Sequence, residues 1–470
     1  MEKAIAKPSK TAYNGGSDKE VRRLTELRIP GNAARVMRRL REAGWEASAV
    51  GGCVRDSLLG RAPKDWDICT NARPEEMRRV FEGWHTVDTG LKHGTLTVVL
   101  DHEPFEVTTY RTDGVYTDHR HPDAVSFVSE LREDLSRRDF TVNAMAWNPE
   151  DGLIDLFGGQ EDLRRQVIRC VGDPMARFEE DALRMLRGLR FASVYRFAIE
   201  EETARAIHAK HRDLGRVAAE RIRVELSKLL CGAGAEDILR AYPDVITFLL
   251  PELAPCVGFD QRTPYHRWDV WEHTIRTVGA AAPTETLRLT MLLHDSGKPR
   301  VFTVDEQGIG HAYGHAKVSV QLAEAVCERL RLDTATRDRV LLLIAHHDAP
   351  IQPGEQALTR LLNRFGEEAL RQLIEVHRAD EAGKGVRPPE EADQWAAELL
   401  GALDSLLQKQ PCFSLRSLAV NGRDLMALGI PKGPRIGEVL QALLERVMAG
   451  ETGNQREQLL DAARQLAHLP

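Results

Sequence analysis

The sequence predicts a multidomain α+β protein in which a mixed sheet with helices comes first and mostly helical segments follow. Short β-rich runs alternate with helical spacing as far as about residue 162, and the sequence is almost wholly helical from Leu163 onwards. With 470 residues, the chain is long enough for several cores of about 100 to 200 residues each. We therefore expect more than one domain.

Apolar spacing and glycine predict the first elements. Residues 32–43 place Ala33, Val36, Met37 and Leu40 on one helical face, and Gly44 is expected to end this helix. A second helix is expected at 54–59, and β-rich runs lie at 47–50, 66–69, 95–100, 105–110, 127–128 and 140–147. In the helical part, glycine and proline predict breaks at 251–264, 385–389 and 429–434.

Composition indicates a soluble cytoplasmic protein. No run approaches the roughly 18 apolar residues of a membrane span, and residues 1–30 lack the apolar stretch of a signal peptide. The seven cysteines form no Cys-x-x-Cys pair, so reduced and mostly buried thiols are expected. The net charge of −7 argues weakly against a nucleic-acid partner. Residues 184–228, however, hold eleven Lys or Arg against six acids, which fits phosphate contacts as well as a solvated helical face.

A glycine pair and two aspartates predict a site for phosphoryl chemistry. Gly51-Gly52 lies between a strand and a helix, where backbone N–H groups can face a phosphate, and Arg55 adds a cationic fork. Asp65 and Asp67 stand two residues apart at the start of the next strand, so their carboxylates share a face and can hold a pair of Mg²⁺ ions. Two such ions can activate an attacking hydroxyl and stabilise the leaving oxygen.

These residues resemble the signature of the DNA polymerase beta superfamily of nucleotidyltransferases, which has Gly-Gly at a helix start and Asp-x-Asp on the next strand. The resemblance implies a third catalytic carboxylate on a neighbouring strand. Glu106 is the candidate, and an exposed strand residue without a catalytic role is the alternative.

Three further motifs follow in the order and spacing of the bacterial and eukaryotic class of CCA-adding enzymes and their poly(A) polymerase relatives, which they resemble. The motifs are Arg137-Arg138-Asp139-Phe140-Thr141-Val142-Asn143-Ala144, Asp155-Leu156-Phe157-Gly158-Gly159 and Glu180-Asp181-Ala182-Leu183-Arg184. The resemblance implies a polymerase-beta-like head at 29–162. It also implies that the triphosphate or sugar is contacted by Gly52, Arg55, Arg138, Asp139 and Arg187.

The last of these motifs suggests how a base is selected. If 181–188 is one helix, Asp181 and Arg184 lie within roughly 60° of each other, and Gly188 between them leaves room for a flat base. The pair offers an acceptor beside donors, which suits cytosine and adenine and leaves polar groups of uracil and guanine unpaired. An i,i+3 surface ion pair is the alternative reading. Arg190 is assigned to the nucleotide site by the family resemblance alone.

Residues 112–123 form a polar stretch with little helix or strand signal. In enzymes that this chain resembles, a loop here is needed for the switch from C to A addition, and its length favours complete CCA activity. A-adding enzymes and poly(A) polymerases keep such a loop too, so both stay open as alternatives.

A second set of residues resembles the HD superfamily of metal-dependent phosphohydrolases. This resemblance rests on the sequences around His273 and around His294-Asp295, which are Trp271-Glu272-His273-Thr274 and Leu292-Leu293-His294-Asp295-Ser296-Gly297-Lys298-Pro299. It implies a divalent metal such as Mg, Mn or Ni, held by His273, His294, Asp295 and Asp380, and a second metal held by His315 and His346. Phosphomonoester or 2′,3′-cyclic phosphate ends of RNA would fit a repair role, and a degenerate scaffold that holds tRNA is the alternative.

The expected organisation is an extension at 1–28, the head at 29–162, a helical neck at 163–255, an HD-type domain at 256–385 and a tail at 386–470. The tail resembles that of CCA-adding enzymes and is expected to grip the acceptor and T-arm region of tRNA through shape and phosphates. The leading hypothesis is transfer of CMP, CMP and AMP from CTP and ATP to the tRNA 3′ end. A protein that acts chiefly as an HD phosphohydrolase, or a non-catalytic tRNA-binding protein, is the alternative from another class.

Overall fold

The computed structural model describes residues 27–88, 90–113, 125–409, 415–448 and 450–467. The chain divides into two compact units, with the boundary between Val217 and Ala218. This boundary falls inside the predicted neck, and the finer division into five segments stays a prediction. The predicted extension is largely outside the described residues, as are residues 114–123 of the predicted loop and Cys412.

The N-terminal unit is built on a seven-stranded mixed sheet with the order β3-β4-β5-β2-β1-β8-β9. Its strands are β1 (Ser48–Val50), β2 (Asp67–Thr70), β3 (His85–Val87), β4 (Thr95–Leu100), β5 (Glu103–Thr109), β8 (Met145–Asn148) and β9 (Gly152–Asp155). A separate pair is formed by β6 (Arg111–Asp113) and β7 (Val125–Phe127). Within the seven-stranded sheet, β2 and β5 pair in parallel and the other neighbours are antiparallel.

Helices cover this sheet and continue beyond it. They are α1 (Gly31–Glu42), α2 (Gly52–Leu58), α3 (Pro74–Val80), α4 (Leu131–Ser136), α5 (Gly159–Arg165), α6 (Pro174–Glu180), α7 (Leu183–Tyr195) and α8 (Glu201–Lys210). Two short strands, β10 (Val167–Ile168) and β11 (Ala198–Ile199), pair in parallel. In α1 the predicted face is fully buried, and Gly44 has a φ of 89° directly after the helix, as expected of a glycine stop.

The C-terminal unit is almost wholly helical. Its helices are α9 (Ala219–Leu230), α10 (Ala235–Ala241), α11 (Pro243–Leu249), α12 (Val270–Ala280), α13 (Glu285–Leu293), α14 (Lys298–Val301), α15 (His315–Arg329), α16 (Thr334–Ala345), α17 (Glu355–Phe365), α18 (Glu367–Lys384), α19 (Pro389–Lys409), α20 (Gly422–Ala427), α21 (Pro434–Met448) and α22 (Arg456–Ala467). A short hairpin joins β12 (Thr303–Val304) to β13 (Gly310–His311). Helices α12, α13, α15, α16 and α18 pack on one another and carry the second predicted site.

The predicted fold class is confirmed: a mixed sheet comes first and helices follow. The six cysteines that the structure describes are free thiols, of which five are buried. Among the helices of the described ranges, none is long and apolar enough to cross a membrane. The run at 140–147 was expected to be β-like throughout, but a 3₁₀ turn at Thr141–Asn143 precedes β8.

Candidate active sites

Three carboxylates meet where strands β2 and β5 run side by side. Asp67 is the first residue of β2 and lies opposite Glu106 of β5, while Asp65 is exposed two residues before Asp67. Burial, and then the charges of Asp65 and Glu106, raise the pKa of Asp67 to about 6, and Arg138 acts in the opposite direction. Clustered like charges favour a bound cation, and carboxylate oxygens are the ligands that Mg²⁺ prefers. The donor set therefore fits a magnesium site.

Arg138 contacts the glycine turn beside this site. Gly51 has a φ of 81°, and a Cβ there would lie 2.8 Å from Arg138 Nη1, so the turn requires glycine for both its backbone and this contact. Gly52, the predicted phosphate contact, follows as the first residue of α2. Buried Asp134 holds Arg138 Nη2 at 3.3 Å and Arg137 Nη2 at 2.9 Å. We did not single out Asp134 from the sequence, where its spacing from two arginines is the signal.

The Arg55 guanidinium is buried and already paired, so it is not open to a phosphate. This corrects the expectation that Arg55 contacts the triphosphate. Its side chain is 8% exposed, bonds the Asn143 side chain, and lies 4.9 Å from the ring centres of Phe191 and Tyr195. In the structure Arg55 thus fastens α2 to α7. Arg190, assigned to the nucleotide site by the family resemblance, lies 3.8 Å from the ring centre of Phe191, the same aromatic ring that Arg55 contacts.

Asp139 and Arg187 form a paired unit in the Arg-Arg-Asp motif region. Arg187 Nε and Nη2 lie 2.8 and 2.7 Å from Asp139 Oδ2, and Asn143 Nδ2 donates to Asp139 Oδ1 at 2.9 Å. Burial alone would raise the pKa of Asp139, but Arg187 and Asn143 hold it well below its usual range. Asp139 is therefore ionised and fixes the direction of the Arg187 guanidinium.

The structure corrects the proposed base-selecting helix. Asp181 follows the end of α6 in an extended conformation, with Oδ1 accepting the Leu183 amide at 3.0 Å, so it does not share a helix with Arg184. Arg184 is 8% exposed and donates to Glu180 Oε2 at 2.5 Å and to the Arg137 carbonyl at 3.0 Å.

The space beside Gly188 is also occupied. A Cβ at Gly188 would lie 2.9 Å from the buried Phe140 ring, so this glycine makes room for Phe140 and not for a base. Helical spacing could not reveal this contact because Phe140 comes from an earlier segment of the chain.

The Asp-Leu-Phe-Gly-Gly motif has a structural explanation. Asp155 accepts the amides of Gly159 and Gln160, both at 2.8 Å, and so caps the start of α5. A Cβ at Gly159 would lie 2.2 Å from the Thr141 carbonyl oxygen. This motif therefore packs α5 against the turn that follows the Arg-Arg-Asp motif.

In the C-terminal unit, the predicted metal ligands converge from α12, from the turn that follows α13 and from α18. His273 Nε2 lies 3.3 Å from His294 Nε2, 3.3 Å from Asp295 Oδ2 and 3.0 Å from Asp380 Oδ1. His273, His294 and Asp295 are buried. Burial opposes protonation of His294, but Asp295 and Asp380 raise its pKa to about 9, so the cluster favours positive charge. The ligand atoms of His273, His294 and Asp380 lie close enough together to hold one divalent cation, and Asp295 Oδ2 lies 3.3 Å from both histidine Nε2 atoms.

The other oxygen of Asp295 faces a second pair of histidines. Asp295 Oδ1 lies 3.2 Å from His315 Nε2 and 3.6 Å from His347 Nε2, and the two nitrogens are 3.1 Å apart. Each ring donates Nδ1–H to a backbone carbonyl, 2.9 and 2.8 Å away, which leaves both Nε2 lone pairs facing each other. A cation between them would remove this repulsion, so the donors fit a second metal.

The expected ligand His346 is wrong, and His347 takes its place. The His346 ring packs 4.8 Å from Phe365, whereas His347 points into the cluster. The two neighbours could not be told apart in sequence because α16 ends at Ala345, so a helical projection does not extend to them.

A loop histidine and a lysine also reach the cluster. His266 groups with His273 and Asp295 as possible ligands. Lys298 Nζ lies 2.6 Å from Asp295 Oδ2 and 3.4 Å from His266 Nε2. The motif at 292–299 predicted no role for Lys298, and His266 was missed because it lies in a segment without periodicity.

Comparison with known proteins places both units in one family. Residues 47–169 match the model of the poly A polymerase head domain, residues 196–256 that of an RNA and SrmB-binding site of polymerase A, and residues 315–463 that of tRNA nucleotidyltransferase domain 2. The chain is 36% identical to a CCA-adding enzyme of Levilactobacillus brevis, over 91% of this chain and 96% of that one. It is 34% identical to a CCA-adding enzyme of Enterococcus faecalis, over 92% and 95%.

A solved structure extends the similarity to the fold. The CCA-adding enzyme of Bacillus stearothermophilus in complex with CTP superposes with a TM-score of 0.69 at 30% identity, covering 93% of this chain and 97% of that one.

Proposed function

The chain belongs to the family of CCA-adding enzymes, and we propose that it adds CMP, CMP and AMP in turn, from CTP and ATP, to the 3′ end of tRNA. It is thus a nucleotidyltransferase whose relatives match over almost their whole length. The observation that carries the proposal for the chemistry is the meeting of Asp65, Asp67 and Glu106 at the only parallel strand pair of the described seven-stranded sheet.

In the proposed reaction, the terminal hydroxyl oxygen of the tRNA attacks the α-phosphorus of the nucleotide. The bond between this phosphorus and the pyrophosphate oxygen breaks, and pyrophosphate leaves. A pair of Mg²⁺ ions held by Asp65, Asp67 and Glu106 would supply activation of the hydroxyl and charge neutralisation. Arg138, fixed by Asp134 beside the carboxylates, is suited to contact the triphosphate.

We also propose that Asp181 and Arg184 select the base, which requires the Arg184 side chain to change its hydrogen-bond partners. Arg184 donates to Glu180 and to the backbone carbonyls of Arg137 and Arg177, so its guanidinium must leave at least one of these partners before it can contact a base. The pair formed by buried Asp139 and half-buried Arg187 is proposed to hold the sugar and phosphate side of the nucleotide.

We further propose that the C-terminal unit is a metal-dependent phosphohydrolase. The supporting observation is the bridging position of Asp295, whose two oxygens face two separate sets of imidazole nitrogens. Divalent metals held there would supply Lewis-acid polarisation of a phosphoryl oxygen. Phosphomonoester or 2′,3′-cyclic phosphate ends are the proposed substrates, and the tail at 386–470 is proposed to hold the tRNA body.

The transferase proposal is tested with tRNA that ends before CCA, incubated with Mg²⁺ and with CTP alone, ATP alone or both. Addition of CC with CTP, and of CCA only with both nucleotides, is the expected result. Extension with ATP alone, or only on tRNA that already ends in CC, would instead identify a poly(A) polymerase or an A-adding enzyme. A variant with Asp65→Ala and Asp67→Ala is the control for contaminating activity.

A further inference from the structure

A cleft leads away from the metal cluster within the C-terminal unit. It consists of a first compartment of about 520 Å³, which includes Asp295 and Asp380, and a second of about 500 Å³. The two compartments share the lining residues Tyr265, Pro350, His377, Glu381 and Lys384. Each has a volume typical of a site for one small ligand, about 300 to 1,000 Å³. The cleft therefore has room for two ligand units, of which only one reaches the cluster.

Aromatic side chains line both compartments. In the first, Tyr313 is 79% exposed and stacks on His311, with ring centres 5.1 Å apart and planes 8° from parallel. Tyr265 is 72% exposed and lies at the junction. In the second, Trp395 lies 5.9 Å from His377, whose Nε2 is buried and has no hydrogen-bond partner in the described structure. Aromatic faces that line a groove are the usual platforms for the bases of single-stranded nucleic acid.

The charged side chains of the second compartment favour a singly charged phosphodiester over a polyphosphate. Arg387 is exposed in its wall, and Lys384 lies 2.9 Å from Asp380 and is also paired with Glu381. Because Glu381 and Glu391 line the same wall, a multiply charged polyphosphate would be repelled. A phosphodiester, which carries one negative charge, can be met by Arg387 alone.

We propose that the second compartment is a subsite for the penultimate nucleotide of an RNA 3′ end whose terminal phosphate reaches the metal cluster. This inference rests on the phosphohydrolase proposed above and defines its substrate class as oligoribonucleotide ends in preference to free nucleotides. The penultimate base stacks on Trp395, and the internucleotide phosphate contacts Arg387. In the hydrolysis, a water oxygen forms a bond to phosphorus, the terminal P–O ester bond breaks, and the leaving oxygen takes a proton from the water.

The test compares two pairs of substrates with the full chain and Mn²⁺ or Ni²⁺. One pair is cytidine 3′-phosphate and the dinucleotide CpC with a 3′-phosphate, and the other has 2′,3′-cyclic phosphate ends. The dinucleotide is expected to have a kcat/KM about tenfold higher, as one base–aromatic stack would produce. Trp395→Ala and, independently, Arg387→Ala are expected to lower the dinucleotide value toward that of the mononucleotide, while Trp395→Phe retains the preference. Arg337→Ala, on the surface of α16 outside the cleft and the tail, where the side chain pairs with Asp338, is the control.

Equal kcat/KM for mononucleotide and dinucleotide in the unsubstituted protein would overturn the subsite, while the phosphohydrolase would stand. A preference that survives both Trp395→Ala and Arg387→Ala would overturn it as well. If the metal-loaded protein hydrolyses none of the four substrates, both proposals fail together.

Discussion

Asp67 and Glu106 are register partners on the adjacent parallel strands β2 and β5, so their carboxylates lie side by side on one face of the sheet. Glu106 contributes to the raised pKa of Asp67, after burial and Asp65. This relationship supports the proposal that Glu106 is the third carboxylate, because geometry as well as resemblance links it to the Asp-x-Asp pair.

Glu106→Gln is expected to lower the rate of nucleotide addition by roughly 100-fold, since loss of a metal ligand removes several kcal/mol of transition-state stabilisation. The measurement is single-turnover addition of CMP at saturating CTP and Mg²⁺. Glu103→Gln is the matched control, because Glu103 lies on the same strand, exposed and on the opposite face, where it accepts from Asn32. Comparable rates for the two variants would remove Glu106 from the catalytic set.

Gly188→Ala is expected to destabilise the protein by about 1 to 3 kcal/mol, because the added methyl group overlaps the buried Phe140 ring. Gly401→Ala, in an open position within α19, should instead stabilise by up to about 1 kcal/mol through helix propensity. Urea denaturation followed by circular dichroism measures both changes. A neutral Gly188→Ala with reduced nucleotide affinity would favour the base-binding role of Gly188 over the packing role.

In a protein that carries Asp65→Ala and Asp67→Ala, and so lacks the proposed transferase ions, His347→Ala is expected to lower the bound divalent metal from two ions per chain to about one. His315 alone cannot hold the second ion with Asp295. The neighbouring His346→Ala should keep both ions, because its ring packs on Phe365. Elemental analysis after dialysis against Mn²⁺ gives the stoichiometry without reference to activity. Retention of two ions by the His347 variant would contradict the assignment.

Asp139→Asn is expected to make the free energy of unfolding less dependent on pH below about pH 4. Because Arg187 and Asn143 hold the pKa of Asp139 below its unfolded value near 4, its contribution is present above about pH 4 and is lost as pH falls toward the lowered native pKa. The free energy of unfolding of the unsubstituted protein should therefore fall more steeply between pH 4 and pH 3 than that of the variant. Asp101→Asn, which removes an exposed ion pair with Arg35, should have the same slope of unfolding free energy against pH as the unsubstituted protein. If Asp139→Asn also has the slope of the unsubstituted protein, the Asp139–Arg187 pair contributes no pH dependence.

Local patterns in the sequence were sufficient for the α+β class, the order of elements and most of the residues that converge. Strand patterning placed Asp67 at the start of β2, with Asp65 two residues before it, and apolar spacing placed the buried face of α1, because both features depend on neighbours in the sequence. The HD ligands were found through resemblance to a known motif. Sequence reasoning failed for residues whose neighbours come from a distant segment, and for residues that lie just beyond the end of a helix.

Only the tertiary structure decided the rest. It separated His347 from His346, placed Arg55 against two rings of α7, and filled the space at Gly188 with Phe140. In each case the deciding contact joins parts of the chain that no periodicity connects. Helical and strand repeats determine which face of an element is buried, whereas the side chain that meets that face is determined by how the elements pack.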